Sequence, residues 1–426
     1  MTRTFYTLIW LIALPLILLR TLWRGRREPV YREDIGGRFG AGGRPLRRPT
    51  LWLHAVSVGE TRAAAPLVGA LRVRFPGHRI LITQMTAAGR ATARELYGDV
   101  ADIAWLPWDL PWAQRAFLRR WRPALGIMME TEIWPNLLHE ANRAGVPLAL
   151  VNARLSARSA ARYARLAAFA REAVTGFSAI VAQTDADAAR FVALGAPRPA
   201  VAGNLKFDID PPPAQVQQGQ RWRAALGERP VLLLASTREG EEALLLDALQ
   251  TRLPPDVLIA LVPRHPQRFD EVATMLAVRG LSQCRRSTAA LPGEGTRVWL
   301  GDAMGELFAW YALADVAIIG GSWRPLGGQN LIEACAVGCP VILGPHTFNF
   351  EQAAADAVAL GAALRAADAD AAAHAALSLL ADASRRHAMA AAGQSFALAH
   401  RGAAARTMAL IEPLIASGSA RSLTAP

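Results

Sequence analysis

The chain has 426 residues, more than one ordinary hydrophobic core accommodates, so its length predicts two domains. Its formal net charge is +12, which predicts an anionic partner: nucleic acid, an acidic membrane surface or a phosphorylated ligand. The basic side chains are arginines except for Lys206, the one lysine of the chain. The three cysteines have neither metal nor disulfide spacing, which argues against a disulfide-stabilised secreted domain and indicates a reducing compartment.

An apolar segment from Phe5 to Leu19 opens the chain, with arginines before and after it. The segment is short for a membrane span of about 20 residues, although residues 2–22 nearly reach that length. No small-residue cleavage site follows, which favours an uncleaved anchor over a secretory signal. By the positive-inside rule, the arginines after the segment predict that the rest of the protein is cytoplasmic. A helix that lies on the membrane surface is the alternative.

From Leu51 onward, short apolar runs alternate with helical segments in two successive series. The first series of predicted strands is Leu51–Val56, Ile80–Thr83, Asp102–Leu106, Leu125–Met129, Leu148–Val151 and Ile180–Ala182; the second is Val231–Ala235, Val257–Val262, Val298–Leu300, Val316–Ile319 and Val341–Leu343. This alternation predicts an α/β fold with a parallel, doubly wound sheet in each half. Phe207 to Gln220, with three consecutive prolines, is predicted to be the linker. Two such halves predict a ligand cleft between the carboxyl ends of their strands.

The stretch from Gly320 to Phe350 is typical of a strand–loop–helix–strand unit that binds a ligand. Asn330 is the predicted N-cap of its helix, and Glu333, three residues later, forms a variant of the capping box. Gly338 fits the helix C-terminus. The glycine-rich turn before the helix would let a ligand approach free backbone N–H groups. Glu333 either faces that ligand or only caps its own helix.

Charged residues follow several predicted strands of the first half. Glu60 ends the string HAVSVGE, Glu130 and Glu132 lie in METEIWPN, and Arg154 lies in NARLSARS. Lys206, in GNLKFD, is predicted to lie at the exit of the N-terminal domain, beside the mouth of the cleft. A partly buried carboxylate at the position of Glu60 could act as a general base. The alternative is that Glu60 only interacts with the dipole of the helix that it begins.

The second half has similar strand-end turns. Pro263 and Arg264 follow one strand, and Met304, Gly305 and Glu306 form a turn and helix start after another. Arginine and helix N–H groups suit a phosphate, so these turns predict a ligand with one phosphate and a ribose.

Three Asp-x-Asp patterns are present, each away from the predicted cleft. They are Asp185/Asp187 at a helix start, Asp208/Asp210 in the linker and Asp368/Asp370 in the alanine-rich tail. We therefore predict no metal site.

Taken together, these strings resemble the 3-deoxy-D-manno-octulosonic acid (Kdo) transferases of Gram-negative bacteria. The resemblance runs from the apolar N-terminal segment to about Phe350, with the motifs in family order. It implies a B-type glycosyltransferase fold, in which two Rossmann-like domains face each other across a cleft. It also implies transfer of Kdo from CMP-Kdo to a lipid A precursor (lipid IVA), with inversion and without a metal.

The resemblance also implies roles for single residues. Glu60 would be the general base, and Glu130 and Lys206 would be the pair that stabilises the transition state. The implied CMP contacts are Pro263, Arg264, Met304, Gly305, Glu306, Asn330, Leu331, Ile332 and Glu333. Two departures, Gly37 where relatives often have an acidic residue and Gln329 where they often have histidine, bear on fine contacts to the acceptor or nucleotide.

The implied organisation is a membrane anchor at residues 1–22, an acceptor-binding domain at 23–206, a linker at 207–220 and a CMP-Kdo-binding domain with a helical tail at 221–426. The implied partners are CMP-Kdo, the lipid A precursor and the anionic cytoplasmic face of the inner membrane, with no cofactor and no nucleic acid. Two alternatives are another B-fold transferase that uses a UDP-sugar and a different membrane acceptor, and a non-enzymatic nucleotide-binding membrane protein. The sequence leaves open how many Kdo residues are transferred.

Overall fold

The computed structural model describes residues 2–41, 48–208 and 210–424, with only the backbone for residues 417–424. The chain forms two α/β units, each around its own sheet. The first unit takes the residues up to Asp208 together with those from Gly402 onward, and the second takes the residues between them. The pairing of the strands is parallel throughout both sheets. The predicted α/β class with two parallel sheets is confirmed.

The sheet of the first unit has seven strands within the described residues. They are β1 (Thr50–His54), β2 (Arg79–Gln84), β3 (Asp102–Trp105), β4 (Pro123–Met129), β5 (Leu148–Ala153), β6 (Ala179–Ala182) and β7 (Ala200–Val201). Their order across the sheet is β3-β2-β1-β4-β5-β6-β7. The chain therefore reverses its direction of progress between β1 and β4, and this switch point is where ligands of doubly wound folds bind.

The described residues up to Asp208 also form helices, most of which pack on the two faces of the sheet. They are α1 (Arg3–Arg27), α2 (Val58–Ala63), α3 (Ala65–Arg74), α4 (Ala87–Tyr97), α5 (Pro111–Trp121), α6 (Pro135–Arg143), α7 (Ala157–Ala164), α8 (Ala167–Thr175) and α9 (Asp185–Ala193), with short 3₁₀ helices at Pro29–Arg32, Ile35–Phe39 and Leu205–Phe207. The central strands β1, β4 and β5 are buried along their whole length, as continuous apolar runs require. Two apolar cores, one on each face, follow from this arrangement.

The sheet of the second unit also has seven strands within the described residues. They are β8 (Val231–Thr237), β9 (Leu258–Pro263), β10 (Gln283–Arg285), β11 (Val298–Leu300), β12 (Val316–Ile319), β13 (Val341–Leu343) and β14 (Ala363–Arg365), in the order β10-β11-β9-β8-β12-β13-β14. The switch point lies between β8 and β12. The helices are α10 (Pro213–Leu226), α11 (Glu241–Gln250), α12 (Phe269–Val278), α13 (Leu307–Leu313), α14 (Ile332–Ala336), α15 (Glu351–Ala359), α16 (Ala369–Ala381) and α17 (Ala383–His400), with 3₁₀ turns at Pro266–Arg268 and Arg286–Thr288.

Most of the predicted linker is in fact a helix of the second unit. Helix α10 begins at Pro213, and proline is well tolerated in the first turn of a helix. Trp222 of this helix is buried, and a Cβ at Gly219 would lie 2.2 Å from the carbonyl oxygen of Ala309 in α13. Gly219 thus permits α10 and α13 to approach closely. The polar composition of the segment gave no sign of this packing. Ile209, also in the predicted linker, lies outside the described residues.

The end of the predicted helical tail belongs to the first unit, not the second. Helix α18 (Ala403–Thr424) packs with Ile411 and Ile415 in the same apolar core as Leu51 of β1. The Asp208 carboxylate accepts the N–H groups of Gly402 and Ala404 and so fixes the start of this helix. The predicted boundary, which gave every residue after 220 to one domain, is wrong for this helix.

Candidate active site

Glu60, Glu130 and Lys206 all lie in loops at the carboxyl edge of the first sheet. Glu60 lies in α2 just after β1, and Glu130 follows β4 directly. Because β1 and β4 are neighbours at the switch point, these two loops adjoin. Lys206 lies in the 3₁₀ turn that follows β7.

Glu60 takes part in a capping box at the start of α2. Its Oε2 accepts the N–H of Val56 at 2.5 Å and that of Ser57 at 3.4 Å, while its own N–H donates to Ser57 Oγ at 3.2 Å. Both bonds to the carboxylate use Oε2, which leaves Oε1 for another partner. The structure therefore confirms the helix-cap geometry of Glu60, and this geometry is compatible with a second role for the same carboxylate.

The pKa of Glu60 is raised above its ordinary value, chiefly because burial penalises the charged carboxylate. The two backbone hydrogen bonds oppose this shift, and the negative charges of Glu130 and Glu132 add to it. A carboxylate with a raised pKa is a stronger proton acceptor than an exposed glutamate. The site around Glu60 is thus suited to removing a proton from a ligand hydroxyl.

Glu130 and Lys206 form an ion pair. Glu130 Oε1 lies 3.0 Å from Lys206 Nζ, and both side chains are partly exposed at the sheet edge. Glu130 has a left-handed backbone with φ of 55°, a conformation that costs a non-glycine residue energy and is common at functional sites. Its N–H donates to Val151 O at 3.0 Å, which fixes this conformation against β5.

Asn152 at the end of β5 links the loops that carry Glu130 and Lys206. The Asn152 side-chain oxygen accepts the N–H of Leu205 at 2.9 Å, and Asn204 Oδ1 accepts the N–H of Lys206 at 3.0 Å. The backbone oxygen of Glu130 accepts the N–H of Arg154 at 3.4 Å. The strings METEIWPN, NARLSARS and GNLKFD therefore form one connected set of loops.

His54 and Glu132 form a buried support that the sequence analysis left without a role. His54, at the end of β1, is fully buried with Nδ1 2.9 Å from Thr83 Oγ1. Its Nε2 lies 3.6 Å from Glu132 Oε2, which also accepts the Trp134 indole N–H at 2.8 Å. Glu132 is thus held by Trp134 and lies beside His54. The sequence signal that could have indicated this support is a histidine at a strand end, six residues before the candidate base.

In the second unit, a buried glutamate shapes the glycine-rich loop after β12. Glu241 accepts the N–H groups of Gly321 at 2.6 Å, Trp323 at 2.9 Å and Arg238 at 2.9 Å. Its pKa is raised by burial, with these three hydrogen bonds opposing the shift. Glu241 therefore holds the loops after β8 and β12 in place, and the sequence analysis missed it.

Asn330 and Glu333 contact each other at the start of α14. Asn330 Oδ1 accepts the N–H of Ile332 at 3.0 Å, and its Nδ2 donates to Glu333 Oε1 at 3.1 Å. The helix begins at Ile332, one residue after the predicted start. The side chains of Leu331 and Ile332 are buried, so only their backbone could contact a ligand.

The other predicted nucleotide contacts differ in what they offer. Gly305 has φ of +82° and lies in an exposed turn beside the exposed Met304. The Glu306 carboxylate accepts two hydrogen bonds from the Arg286 guanidinium, at 2.8 and 3.0 Å, so its charge is already paired. Pro263 is the last residue of β9, and the N–H of Arg264 donates to Thr237 O at 2.9 Å across the edge of the sheet.

Tyr311 lies in α13, close to the carboxyl edge of the second sheet. The sequence of this helix gave no indication of a functional residue. Its hydroxyl is buried and makes no hydrogen bond within the described residues. The pKa of Tyr311 lies far above its ordinary value, first because of burial and then because of the negative charge of Glu333, with Arg264 opposing the shift. The Tyr311 hydroxyl is therefore a buried polar group that the charges of both predicted ligand contacts influence.

The aspartates of the Asp-x-Asp patterns mostly have structural partners. Asp187 accepts the N–H of Leu155 and the hydroxyl of Thr184, Asp208 fixes the start of α18, and Asp368 caps α16. Among the residues that the structure describes, no three His, Cys, Asp or Glu side chains cluster as a metal site would require.

Comparisons with known proteins identify families that match each of the two units. Residues 33–209 match the family of 3-deoxy-D-manno-octulosonic-acid transferases (kdotransferases), and residues 241–396 match the glycosyl transferases group 1. A glycosyltransferase structure from Rickettsia africae superimposes with a TM-score of 0.58 over 87% of this chain and 99% of its own, at 12% identity. That likeness shows the two-domain B-type glycosyltransferase fold.

Two relatives match over nearly their whole length. The 3-deoxy-D-manno-octulosonic acid transferase of Bordetella pertussis is 49% identical over 97% of this chain and 99% of its own. The enzyme of the same name from Haemophilus influenzae is 37% identical over the same shares. With matches of this extent, the chain belongs to the family of 3-deoxy-D-manno-octulosonic acid transferases.

Proposed function

We propose that this chain transfers Kdo from CMP-Kdo to a lipid A precursor (lipid IVA), with inversion at the anomeric carbon. The observation that carries the proposal is the grouping of Glu60 with the Glu130–Lys206 ion pair at one sheet edge of a member of this family. Such a group offers a base and a fixed positive charge, which are the two things that the reaction requires.

In this mechanism Glu60 removes the proton of the acceptor hydroxyl as its oxygen attacks the anomeric carbon of Kdo. The new carbon–oxygen bond forms on the face opposite the phosphate, the bond from the anomeric carbon to the phosphate oxygen breaks, and CMP leaves with the electron pair. One displacement of this kind inverts the anomeric configuration. The buried surroundings that raise the pKa of Glu60 make it a better acceptor for this proton.

Lys206 supplies positive charge to the transition state, and Glu130 holds its ammonium group in place. An ammonium fixed at 3.0 Å from a carboxylate is preorganised, so it loses little entropy at the moment of reaction. Arg264 and the backbone N–H groups of the second unit would bind the phosphate of CMP, and Glu333 would accept from the ribose hydroxyls. No cofactor or metal is assigned to the reaction.

A strip of arginines in and around α7 supports a phosphorylated acceptor. Arg158 and Arg162 lie four residues apart on one face of this helix, and Arg165 is its C-cap. Arg154 precedes the N-cap of the helix and completes the strip of four. None of the four forms an ion pair within the described residues, and the last three are exposed. The strip begins beside Glu130, to which Arg154 donates through its N–H. We assign the anionic head group of the acceptor, and not nucleic acid, to this surface.

The test is the mass of the product formed by the purified full chain with CMP-Kdo and lipid A precursor. We expect a mass gain of one or more whole Kdo residues, and the number of increments gives the number transferred. Turnover should persist in EDTA and should be inhibited by CMP more strongly than by UDP. No gain with CMP-Kdo, together with transfer from a UDP-sugar, would establish the rival transferase instead.

A further inference from the structure

We propose that α1 does not cross the bilayer but lies in the plane of the membrane, docked lengthwise on its own domain, with its outer apolar face in one leaflet. By length and composition, α1 alone among the described helices could cross a membrane, a test that surface helices can also pass. The proposal does not depend on the sugar that the protein transfers. It rests on which faces of α1 are covered and by what.

One face of α1 is covered from end to end. The half-buried or buried residues are Arg3, Tyr6, Thr7, Trp10, Ala13, Leu14, Ile17, Leu18, Thr21, Arg24 and Gly25. They recur at intervals of three and four residues, which is the repeat of a single helix face. The 25-residue helix is about 37 Å long at 1.5 Å per residue, so the domain covers nearly its full length.

The N-terminal end of this face is fixed by a buried polar network. Asn136 is fully buried, and its Oδ1 accepts the Thr7 hydroxyl at 3.0 Å and the Arg3 guanidinium at 3.4 Å. Asn136 is in turn bound to the buried Asp109, which accepts its N–H at 3.0 Å and that of Leu137 at 2.8 Å. The network ties α1 to the start of α6.

Aromatic and aliphatic contacts continue the docking along the helix. Trp10 packs against Trp134 with ring centroids 6.3 Å apart, and Tyr6 packs against Phe169 of α8 at 5.6 Å. Further along, apolar residues of α1 pack on a cluster around Trp108, namely Trp10, Leu14, Ile17 and Leu18. Trp134 and Asn136 belong to the string METEIWPN, so the loop that carries Glu130 also carries the docking site for α1.

The C-terminal end of α1 is fixed as well. The Arg32 guanidinium donates to the Leu22 carbonyl at 2.9 and 3.2 Å, and the Arg24 guanidinium lies 4.4 Å from the centre of the Tyr31 ring. Gly25 is buried under Arg32, whose side chain would lie 2.4 Å from an added Cβ. Both ends and the middle of α1 are therefore held by the same domain.

The opposite face of α1 is apolar and exposed. Ile12, Leu16 and Leu19 expose 73%, 70% and 65% of their surface. The other exposed apolar residues of this face are Phe5, Leu8, Ile9, Leu11, Leu22 and Trp23. Trp112 of α5 is also exposed and stacks on Phe39, which packs on the cluster around Trp108. A strip of this extent, with tryptophans beside it, is typical of a surface that enters a membrane interface.

The docked geometry is incompatible with a perpendicular span. A span needs about 30 Å of helix surrounded by hydrocarbon, yet the domain packs along α1 and places polar groups against both of its ends. A span that kept these contacts would carry the Asn136–Asp109 network into the bilayer, where such groups are costly. An in-plane helix keeps every contact and buries only the outer strip.

The positive charges of the arginines near the outer face of α1 favour a leaflet that contains acidic lipids. Arg20, Arg26 and Arg27 are exposed at the C-terminal end of α1, and the helix has no acidic residue. Arginines at the level of the head groups attract acidic lipids, while the exposed apolar face of α1 inserts between the acyl chains. The occupant of the outer face is therefore the surface of an anionic bilayer.

Topology mapping by cysteine labelling tests the proposal with the full chain in inner-membrane vesicles. The background is Cys284→Ser, because Cys284 is the partly exposed cysteine and Cys335 and Cys339 are buried. In this background, Thr2→Cys and Arg26→Cys report the positions of the two ends of α1. Glu95→Cys, at an exposed position of α4, reports the position of the domain. We expect a membrane-impermeant maleimide to label all three from the same side. Labelling of Thr2→Cys only from the side opposite to Glu95→Cys would overturn the proposal.

Vesicle binding tests the outer face by itself. We expect Ile12→Gln/Leu16→Gln to lower the partition coefficient onto phosphatidylethanolamine–phosphatidylglycerol vesicles about 10-fold or more. The matched control is Val73→Gln/Val278→Gln, which removes two even more exposed apolar side chains away from α1 and should leave partitioning unchanged. An equal loss in both double variants, or no loss in the α1 variant, would contradict the assignment of this face to lipid.

Discussion

The two sheet edges differ in the kind of group that they present. At the first edge the candidate residues are acidic and basic side chains: burial raises the pKa of Glu60, and Glu130 forms an ion pair with Lys206. At the second edge much of what the loops offer is backbone, with Leu331 and Ile332 buried and the Glu306 carboxylate taken by Arg286. In our proposal, the first unit therefore performs the proton transfer, and the second unit mainly binds the nucleotide.

The largest effect is expected at the first edge, for Glu60→Gln. Glutamine keeps the oxygen that caps α2 but cannot accept a proton, so turnover should fall about 10²–10⁴-fold while CMP affinity stays normal. Steady-state rates and calorimetry measure the two quantities. The control is Glu95→Gln on an exposed helix surface. If Glu60 only capped its helix, stability would change by about 1 kcal/mol or less and turnover would be retained.

The next effect concerns the ion pair of the first edge. Glu130→Gln and Lys206→Met should each lower turnover by about 10²-fold, because each removes the fixed charge that the other positions. The double variant should be little worse than either single one, since the two act as a unit. The control is the exposed pair Asp247–Arg279 of the second unit, whose Asp247→Asn/Arg279→Met variant should keep full turnover. Strictly additive losses at Glu130 and Lys206 would show that they do not cooperate.

At the second edge we expect a smaller effect, and on binding only. Glu333→Gln should weaken CMP affinity about 10-fold, about 1.4 kcal/mol, by removing the carboxylate that accepts from the ribose. Glu228→Gln, in the exposed turn before β8 at the opposite end of the strand, is the matched control and should leave CMP affinity unchanged. Equal CMP affinities of Glu333→Gln and the parent protein, measured by calorimetry, would remove Glu333 from the donor site.

The smallest change is a methyl group, and it tests the packing beneath the second edge. Gly219→Ala should destabilise the second unit by about 1–3 kcal/mol, because the added Cβ would lie 2.2 Å from Ala309 O. Gly69→Ala in α3 is the control: its Cβ would have no neighbour within 4 Å, so helix propensity should make it neutral or slightly stabilising. Hydrogen exchange resolves the two units separately. A loss of protection in the first unit for Gly219→Ala would contradict the helix packing.

The sequence predicted the central strands well because they are buried on both faces and therefore continuously apolar. The edge strands β7, β10 and β14 were missed because they are two or three residues long and partly polar or exposed. Helix α10 was hidden by its prolines, and no local pattern indicates that α18 packs on the first sheet. The unit on which a terminal helix packs depends on contacts between residues that are far apart in the sequence.

The candidate site follows the same division. Glu60 and Glu130 could be found because they lie in loops after predicted strands, and parallel strands bring their carboxyl ends to one edge. Lys206 follows the missed strand β7, and its role came from the resemblance. Glu241 and Tyr311 could not be found, since their importance comes from neighbours in other segments: three N–H groups around Glu241, and the charges of Glu333 and Arg264 beside Tyr311. A helical string such as LFAWYAL gives no sign of a buried hydroxyl without a hydrogen bond.

The central claim is that Glu60 is the base, and the pH dependence of turnover tests it most directly. Burial and the charges of Glu130 and Glu132 raise the pKa of Glu60, so its carboxylate becomes protonated, and unable to accept a proton, at a pH above the ordinary glutamate value of about 4.3. As the pH falls through that raised pKa, turnover of the parent protein should decline. The account predicts that this acidic decline disappears from the residual rate of Glu60→Gln. An acidic decline of the same position and shape in Glu60→Gln would contradict it.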